Sequence, residues 1–195
     1  MWKKTGGTKR GEKMKEEFIN LLKSTKRDGI EQLINWLENE TDFFTAPASS
    51  KYHLCKENGL LEHSLNVFRQ LIEETSGMGF DPRTIIIISL LHDLCKVNNY
   101  KIDYKNQKNK DGIWEQVQYY KADDIFPIGH GDKSIILAQK FIDLTDEEIL
   151  AVRWHMGGFE SKENYSSVSK VFNKSKLALL LHTADLKATY ILENQ

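Results

Sequence analysis

The chain has 195 residues, of which 40% are hydrophobic and 28% charged, a composition typical of one globular domain with a sizeable core. Its formal net charge of −1 excludes a global field that would draw it to nucleic acid or to an anionic membrane. No apolar run reaches the roughly 20 residues that span a bilayer, and the two cysteines form no paired motif, so we expect a cytoplasmic protein without membrane anchor, signal peptide or structural disulfide.

The amino-terminal part of the sequence divides into a tail and two helices. Residues 1–13 combine five basic residues with three glycines and one acid, and we predict a disordered basic tail ahead of a single domain over residues 14–195. Apolar residues at helical spacing begin at Met14 and predict the first helix. Asp28, followed three residues later by Glu31, predicts the N-terminal cap of the second helix.

Two further helices are predicted in the first half of the chain. Apolar residues in helical register follow Gly59 and predict a third helix; they are Leu61, Leu65, Phe68 and Ile72. Asp81 and Pro82 suit a helix N-cap and the first helical position, and they predict a fourth helix that extends to about Cys95. Because this helix is apolar nearly all round, we expect it to be central and buried.

An alternating pattern between residues 99 and 120, with a turn signal at Asp111-Gly112, predicts a β-hairpin inserted into the helical chain. Its lysines stand near Tyr104 and Trp114; they are Lys101, Lys105, Lys108 and Lys110. This surface could be a wall for a nucleotide base or a single strand, and a solvated hairpin face is the alternative.

Helices resume near Asp132 and at Thr145, where Thr145 and Glu148 match a capping box. A polar loop over residues 157–169 then precedes a last helix that extends to about Ile191. The predicted fold class is all-α, a helical bundle with one inserted β-hairpin.

Two adjacent polar residues, His92 and Asp93, end the most apolar predicted helix. An unpaired buried carboxylate is very costly, so a buried Asp93 needs a cation, which the neighbouring imidazole can share. Adjacent helical residues point about 100° apart, so the pair must straddle its ligand or Asp93 must bridge two. Lys96 follows three residues later, where it could bind a phosphate; an i,i+3 ion pair with Asp93 is the alternative.

Four other residues share a position at the edge of the predicted packing. His63 and Asp185 lie at the rims of apolar stripes, and helical bundles build metal sites in the crevices between packed helices. His130 lies between two glycines and His155 at a helix end, both at joints where functional residues concentrate. For each of them a structural role as a hydrogen-bonded boundary residue is the alternative.

Three segments resemble the ordered His…His-Asp…Asp signature of the HD-domain metal-dependent phosphohydrolases: GLLEHS at 59–64, LLHDLCK at 90–96 and LHTAD at 181–185. The resemblance extends over roughly residues 45–190 and implies an all-α bundle around a metal site. It also implies which residues hold the first ion, namely His63, His92, Asp93 and Asp185.

His130 and His155 resemble the two intermediate histidines of binuclear members of this family. The resemblance implies that Asp93, His130 and His155 hold a second ion. Four imidazoles and two carboxylates without a thiolate suit Mn, Fe, Ni or Zn better than Mg or Ca, so we expect one or two divalent transition-metal ions. Two ions about 4 Å apart would generate a hydroxide nucleophile and neutralise a phosphoryl group.

We therefore predict a metal-dependent phosphohydrolase that cleaves a phosphomonoester or phosphodiester bond, with a small phosphorylated substrate, a nucleotide above all, and no membrane partner. Asp93 and Lys96 are the predicted catalytic residues, with Lys96, His53 and Arg153 as substrate ligands. For His53 and Arg153, a loop histidine and a surface charge are the alternatives. The alternative functions are an HD-type nuclease that acts on short RNA or DNA, and a metal-stabilised nucleotide-binding or regulatory module.

Overall fold

The computed structural model describes residues 9–193 and confirms a helical bundle with one hairpin. Eight α-helices occur in this part of the chain: α1 (Lys9–Ser24), α2 (Ile30–Asn39), α3 (Gly59–Glu74), α4 (Pro82–Leu91), α5 (His130–Ala138), α6 (Asp146–Trp154), α7 (Tyr165–Lys174) and α8 (Lys176–Lys187). Shorter helical turns are the 3₁₀ segments Leu94–Lys96, Gly157–Phe159 and Lys162–Asn164, and a π-helical segment, Ala188–Leu192.

The central helix is α4, as the sequence predicts. The Asp81 side chain accepts a hydrogen bond from the backbone N–H of Arg83, and Pro82 occupies the first turn. Every residue from Thr84 to Leu91 is buried. The helix ends at Leu91, however, and does not extend to Cys95, because the backbone leaves helical geometry at Asp93 before the 3₁₀ turn.

Two apolar cores lie on either side of α3 and α4. The first contains residues of α1 and α2 with the aromatic rings of Phe18 and Phe43, whose centroids are 4.9 Å apart. The second joins α3 and α4 to α6 and α8 through Leu71, Ile88 and Leu181. Because α3 and α4 contribute to both cores, their ends are fixed from two sides, which is what a site between these helices requires.

The hairpin consists of β1 (Tyr100–Lys108) and β2 (Trp114–Ala122), paired antiparallel from Tyr100 opposite Ala122 to Lys108 opposite Trp114. It therefore begins one residue later and ends two residues later than the predicted range of 99–120. Gly112 has a φ of +77°, the left-handed conformation that the predicted turn needs. Most of the hairpin side chains are exposed.

Three sequence predictions are corrected at element ends. Residues 9–13 of the predicted tail belong to α1, where Arg10 pairs with Glu62 at 2.8 Å; residues 1–8 lie outside the described part. Asp28 is not the cap of α2, because Gly29 occupies that position with a φ of +82° and a side chain there would collide with the Phe141 carbonyl. The predicted polar loop over 157–169 contains the start of α7, whose single buried residue is Val168.

One further prediction is confirmed, because the capping box of Thr145 and Glu148 is present in both directions. Cys55 and Cys95 are free thiols. None of the helices over residues 9–193 combines the length and the apolar character needed to cross a bilayer.

Candidate metal centre

The residues selected from the sequence converge at one place, where the ends of four helices meet the second turn of α3. His63 is supplied by α3, His92 and Asp93 follow α4, His130 begins α5, His155 follows α6, and Asp185 lies near the end of α8. His63, His92, Asp93 and His155 are buried, and Asp185 keeps 18% of its side chain exposed.

His92 and His155 are held by the same local construction. Each follows the last residue of a helix, and each places Nδ1 against the carbonyl three residues earlier: Ser89 at 2.8 Å for His92 and Val152 at 2.7 Å for His155. Carbonyls in the last helical turn lack an intrahelical partner, so they accept the Nδ1–H of the following imidazole. The Nε2 atom of each ring is thereby left as the acceptor, directed away from its helix.

Around the first group of ligand atoms the distances fit a single ion. Ligand atoms bound at about 2.1 Å to one ion lie about 3.0–3.4 Å from each other. Nε2 of His63 is 3.3 Å from Nε2 of His92 and 3.2 Å from Oδ1 of Asp185. Oδ2 of Asp93 lies 3.5 Å from both imidazole nitrogens.

Asp93 faces two groups of imidazoles with its two oxygens. Oδ2 faces His63 and His92, whereas Oδ1 lies 2.6 Å from Nε2 of His130 and 3.7 Å from Nε2 of His155. Asp93, His130 and His155 form a second group whose ligand atoms all lie within 4.8 Å of one another. Each oxygen of the Asp93 carboxylate therefore faces its own pair of imidazole nitrogens, and a role of Asp93 as a ligand of two ions stays a prediction.

His130 reaches this position because α5 approaches α6 closely. A side chain at Gly131 would collide with the backbone of Val152 and Arg153, so glycine permits the contact that brings His130 beside His155. The ring centroids of these two histidines are 5.3 Å apart.

The donor chemistry fits a divalent metal cation. Nε2 of His155 is buried and has no hydrogen-bond partner within residues 9–193, which is costly unless a cation binds there. Burial lowers the pKa of His92 to about 4, so this imidazole is a neutral ligand at pH 7. Burial would also lower the pKa of His63, but hydrogen bonds to Asp185 and Glu193 raise it to about 10, so the metal-free site holds a proton where a metal cation can replace it.

Lys96 lies on the open side of the centre. Its Nζ is 2.6 Å from Oδ2 of Asp93, so the i,i+3 ion pair is present. Burial by itself would lower the pKa of Lys96, but the neighbouring Asp93 carboxylate raises this pKa above its ordinary value. A cavity of about 250 Å³ opens beside the pair, and its lining includes Cys95, Lys96, Asn99, Tyr100, His130 and Lys133. The ion pair matches the alternative interpretation of Lys96, and its role as a phosphate ligand stays a prediction.

The two weaker candidates differ in their surroundings. His53 lies beside the centre, with its ring centroid 5.0 Å from that of His63. The guanidinium of Arg153 is paired with Asp132 at 2.7 Å and with Glu160 at 3.0 Å. These contacts match the surface-charge interpretation of Arg153, and its role as a phosphate ligand stays a prediction.

Hairpin lysines are also engaged with neighbouring groups. Lys101 pairs with Asp123, and Lys108 lies over the Trp114 ring at 5.3 Å. His182, which lies within the 181–185 motif, places its Nδ1 2.7 Å from the carbonyl of His155 and so has a structural contact.

Sequence reasoning missed two residues at the centre. Cys95 places Sγ 3.3 Å from Nδ1 of His130, and burial raises the pKa of this thiol to about 12, so it stays protonated at neutral pH. Glu193 places its carboxylate 3.1 Å from Nδ1 of His63. Cys95 lies within the 90–96 motif, which could have pointed to it, whereas Glu193 has no motif around it.

Comparisons with known proteins point to one family. The family model described as HD domain matches residues 60–188. A dihydroneopterin 2',3'-cyclic phosphate phosphodiesterase from Methanocaldococcus jannaschii is 30% identical over 146 residues, which cover 63% of this chain and 55% of that protein. The chain thus spans little more than half the length of this relative. No solved structure matches the present chain.

Proposed function

The chain belongs to the HD-domain family, and from that premise we propose that it is a metal-dependent hydrolase of phosphoric esters. The observation that carries the proposal is the position of Asp93, whose two oxygens face two separate pairs of imidazole Nε2 atoms. Within the proposal, the first ion is held by His63, His92, Asp93 and Asp185, and the second by Asp93, His130 and His155.

Bound divalent ions would neutralise phosphoryl charge and lower the pKa of a water molecule, which makes it a nucleophile at neutral pH. The chain contributes the rest of the chemistry. His92 and His155 each donate their Nδ1–H to a carbonyl at a helix end, and these hydrogen bonds fix the orientation of both rings. Lys96 adds a fixed positive charge at the mouth of the centre, where it stabilises charge on the phosphoryl oxygens. Mn, Fe, Ni and Zn suit this nitrogen and oxygen set.

For the substrate, we propose a small phosphodiester of a nucleotide-like molecule. The cavity of about 250 Å³ beside Lys96 suits a phosphate with part of a sugar. The archaeal relative is named for hydrolysis of a 2',3'-cyclic phosphate, which makes cyclic phosphodiesters the first class to test. A cytoplasmic location stays a prediction from the sequence.

The test is a hydrolysis assay with chelator-treated protein resupplied with Mn²⁺, Fe²⁺, Ni²⁺ or Zn²⁺. The substrates are a 2',3'-cyclic nucleotide, a linear phosphodiester, a phosphomonoester and a short RNA. We expect metal-dependent cleavage of the cyclic ester and loss of that activity in Asp93→Ala. Asp81→Ala is the control, because Asp81 lies at the other end of α4, where it pairs with Arg83 and contacts none of the proposed ligands.

The outcomes separate the alternatives. Cleavage of RNA in preference to the small esters would favour the nuclease, for which the hairpin lysines would then be the first residues to replace. A folded, metal-loaded chain that cleaves none of the four substrates would refute hydrolysis of these ester classes and favour the nucleotide-binding or regulatory module.

A further inference from the structure

A carboxylate outside the HD motif supports one of the proposed metal ligands. Glu193, just after the π-helical segment Ala188–Leu192, has a side chain that is only 1% exposed. Its two oxygens are each 3.1 Å from Nδ1 of His63, and the Asn66 amide donates to Oε1 at 3.0 Å. Since a carboxylate only accepts hydrogen bonds, Nδ1 of His63 must carry the proton.

His63 needs such a partner because of its place in the fold. His92 and His155 follow helix ends and use the carbonyls left free there. His63 lies inside α3, where the neighbouring backbone carbonyls already accept hydrogen bonds of the helix. An acceptor for its Nδ1–H therefore has to come from another element.

The π-helical segment explains how Glu193 reaches this position. Glu193 lies eight positions after Asp185, which in a regular α-helix would place the two carboxylates about 80° apart around the axis. The backbone N–H of Glu193 donates to the carbonyl of Ala188, five residues earlier. This wider turn contains one residue more than an α-helical turn, so the step from Asp185 to Glu193 is equivalent to seven α-helical positions. The angle between the two carboxylates around the helix axis therefore falls to about 20°. Both carboxylates then meet the same imidazole, Asp185 at Nε2 and Glu193 at Nδ1.

We propose that Glu193 is a positioning residue of the metal centre, brought into place by the π-helical segment. By accepting the Nδ1–H of His63, it fixes the tautomer and the ring plane that direct the Nε2 lone pair towards the first ion. The inference rests on the proposed metal-dependent function. Nε2 of His53, which is buried and has no hydrogen-bond partner in the described range 9–193, lies 4.0 Å from Glu193 and adds to the polar surroundings of its carboxylate.

The test measures metal affinity instead of activity. Wild type, Glu193→Ala and Glu193→Gln are titrated with Mn²⁺ and Zn²⁺ in competition with a chromogenic chelator. We expect Glu193→Ala to weaken the tighter-binding ion about 10- to 100-fold, the range known for partners of metal-ligating histidines. Glu193→Gln should recover part of the loss, because its amide oxygen still accepts the Nδ1–H of His63.

Glu74→Gln is the matched control. Glu74 lies on α3 and holds α8 through Lys187 at 2.9 Å and Thr183 at 2.8 Å, without touching a proposed metal ligand. A variant that only loosens α8 should leave metal affinity unchanged. Nuclear magnetic resonance of the Zn²⁺-loaded protein supplies a second readout, since the Nδ1–H signal of His63 should shift in both Glu193 variants and stay in place in Glu74→Gln.

The results separate this inference from the proposed function. Wild-type affinity in Glu193→Ala, or an equal loss in Glu74→Gln, would overturn the positioning role even if the enzyme hydrolyses esters. Graded metal loss across the Glu193 variants in a chain that cleaves no ester would support the positioning role and count against the hydrolase. A wild-type chain that binds no divalent ion would overturn both.

Discussion

Replacement of Asp93 by Asn in the metal-free protein tests whether this carboxylate allows Lys96 to be buried. The two side chains are only 4% and 13% exposed, and their charged atoms are 2.6 Å apart. In the absence of metal, Asp93 also faces the His130 imidazole at 2.6 Å. Asn has nearly the same shape but no charge, so the substitution leaves the ammonium of Lys96 buried without its counter-ion.

Loss of one partner of a buried ion pair costs about 3–5 kcal/mol. Lys96 retains some exposure, and the amide oxygen introduced by Asp93→Asn would still accept a hydrogen bond, so we expect the lower end, about 3 kcal/mol. For a chain of this size, 1 kcal/mol shifts the midpoint of thermal unfolding by about 2–4 °C, which gives a decrease of about 6–12 °C.

The assay is thermal unfolding of chelator-treated wild type, Asp93→Asn, Lys96→Met and the double variant at pH 7. The double variant should recover most of the loss, because neither charge remains. Burial acts to raise the folded-state pKa of Asp93, but the neighbouring charges, Lys96 foremost, hold it well below its ordinary value. The contribution of Asp93 to stability is therefore present above about pH 4 and is lost as the pH falls through that lower pKa. Equal midpoints for wild type and Asp93→Asn at pH 7 would refute the reasoning.

Three further predictions concern residues around the centre. Glu148→Gln should lower the free energy of unfolding by about 3 kcal/mol, because this buried carboxylate pairs with Arg27 and accepts from Thr84; metal affinity, measured by chelator competition, should not change. Gly131→Ala should force α5 away from α6 and reduce the bound metal by one ion per chain, as counted by elemental analysis; two ions in the variant would contradict the proposed role of the close contact. Cys95→Ala should leave the absorption spectrum of the Co²⁺-loaded protein unchanged, because Sγ of Cys95 lies against Nδ1 of His130 and none of the candidate ligand groups over residues 9–193 includes this thiol; loss of a thiolate-to-cobalt band would show that Cys95 is a ligand.

Much of the fold follows from local signals in the sequence. Asp81 and Thr145 cap their helices as predicted, because a cap depends on side chains within three residues of one another. The hairpin turn at Gly112 is local in the same sense. Predictions from such local signals are wrong where a segment distant in the sequence packs against the element. At α2 the N-cap is Gly29 instead of Asp28, because the Phe141 carbonyl lies where a side chain at position 29 would be.

The candidate ligands were predictable by type, since buried His and Asp residues without a partner are costly and the HD motif orders them along the chain. Their distances were not, because they depend on contacts between α3, α4, α5, α6 and α8. The sequence also did not show that the helix before Asp93 ends at Leu91, which turns the carboxylate towards both groups of imidazoles.

Residue types and their order along the chain thus specify which side chains and which class of fold build this centre. How these side chains face one another depends on the tertiary structure, which also adds Glu193, a residue that no motif marks. The physical reason is one of range. Caps, turns and apolar stripes act over a few residues, whereas the contact between His63 and Glu193 joins positions 130 residues apart and depends on the π-helical turn and the packing of α8 on α3.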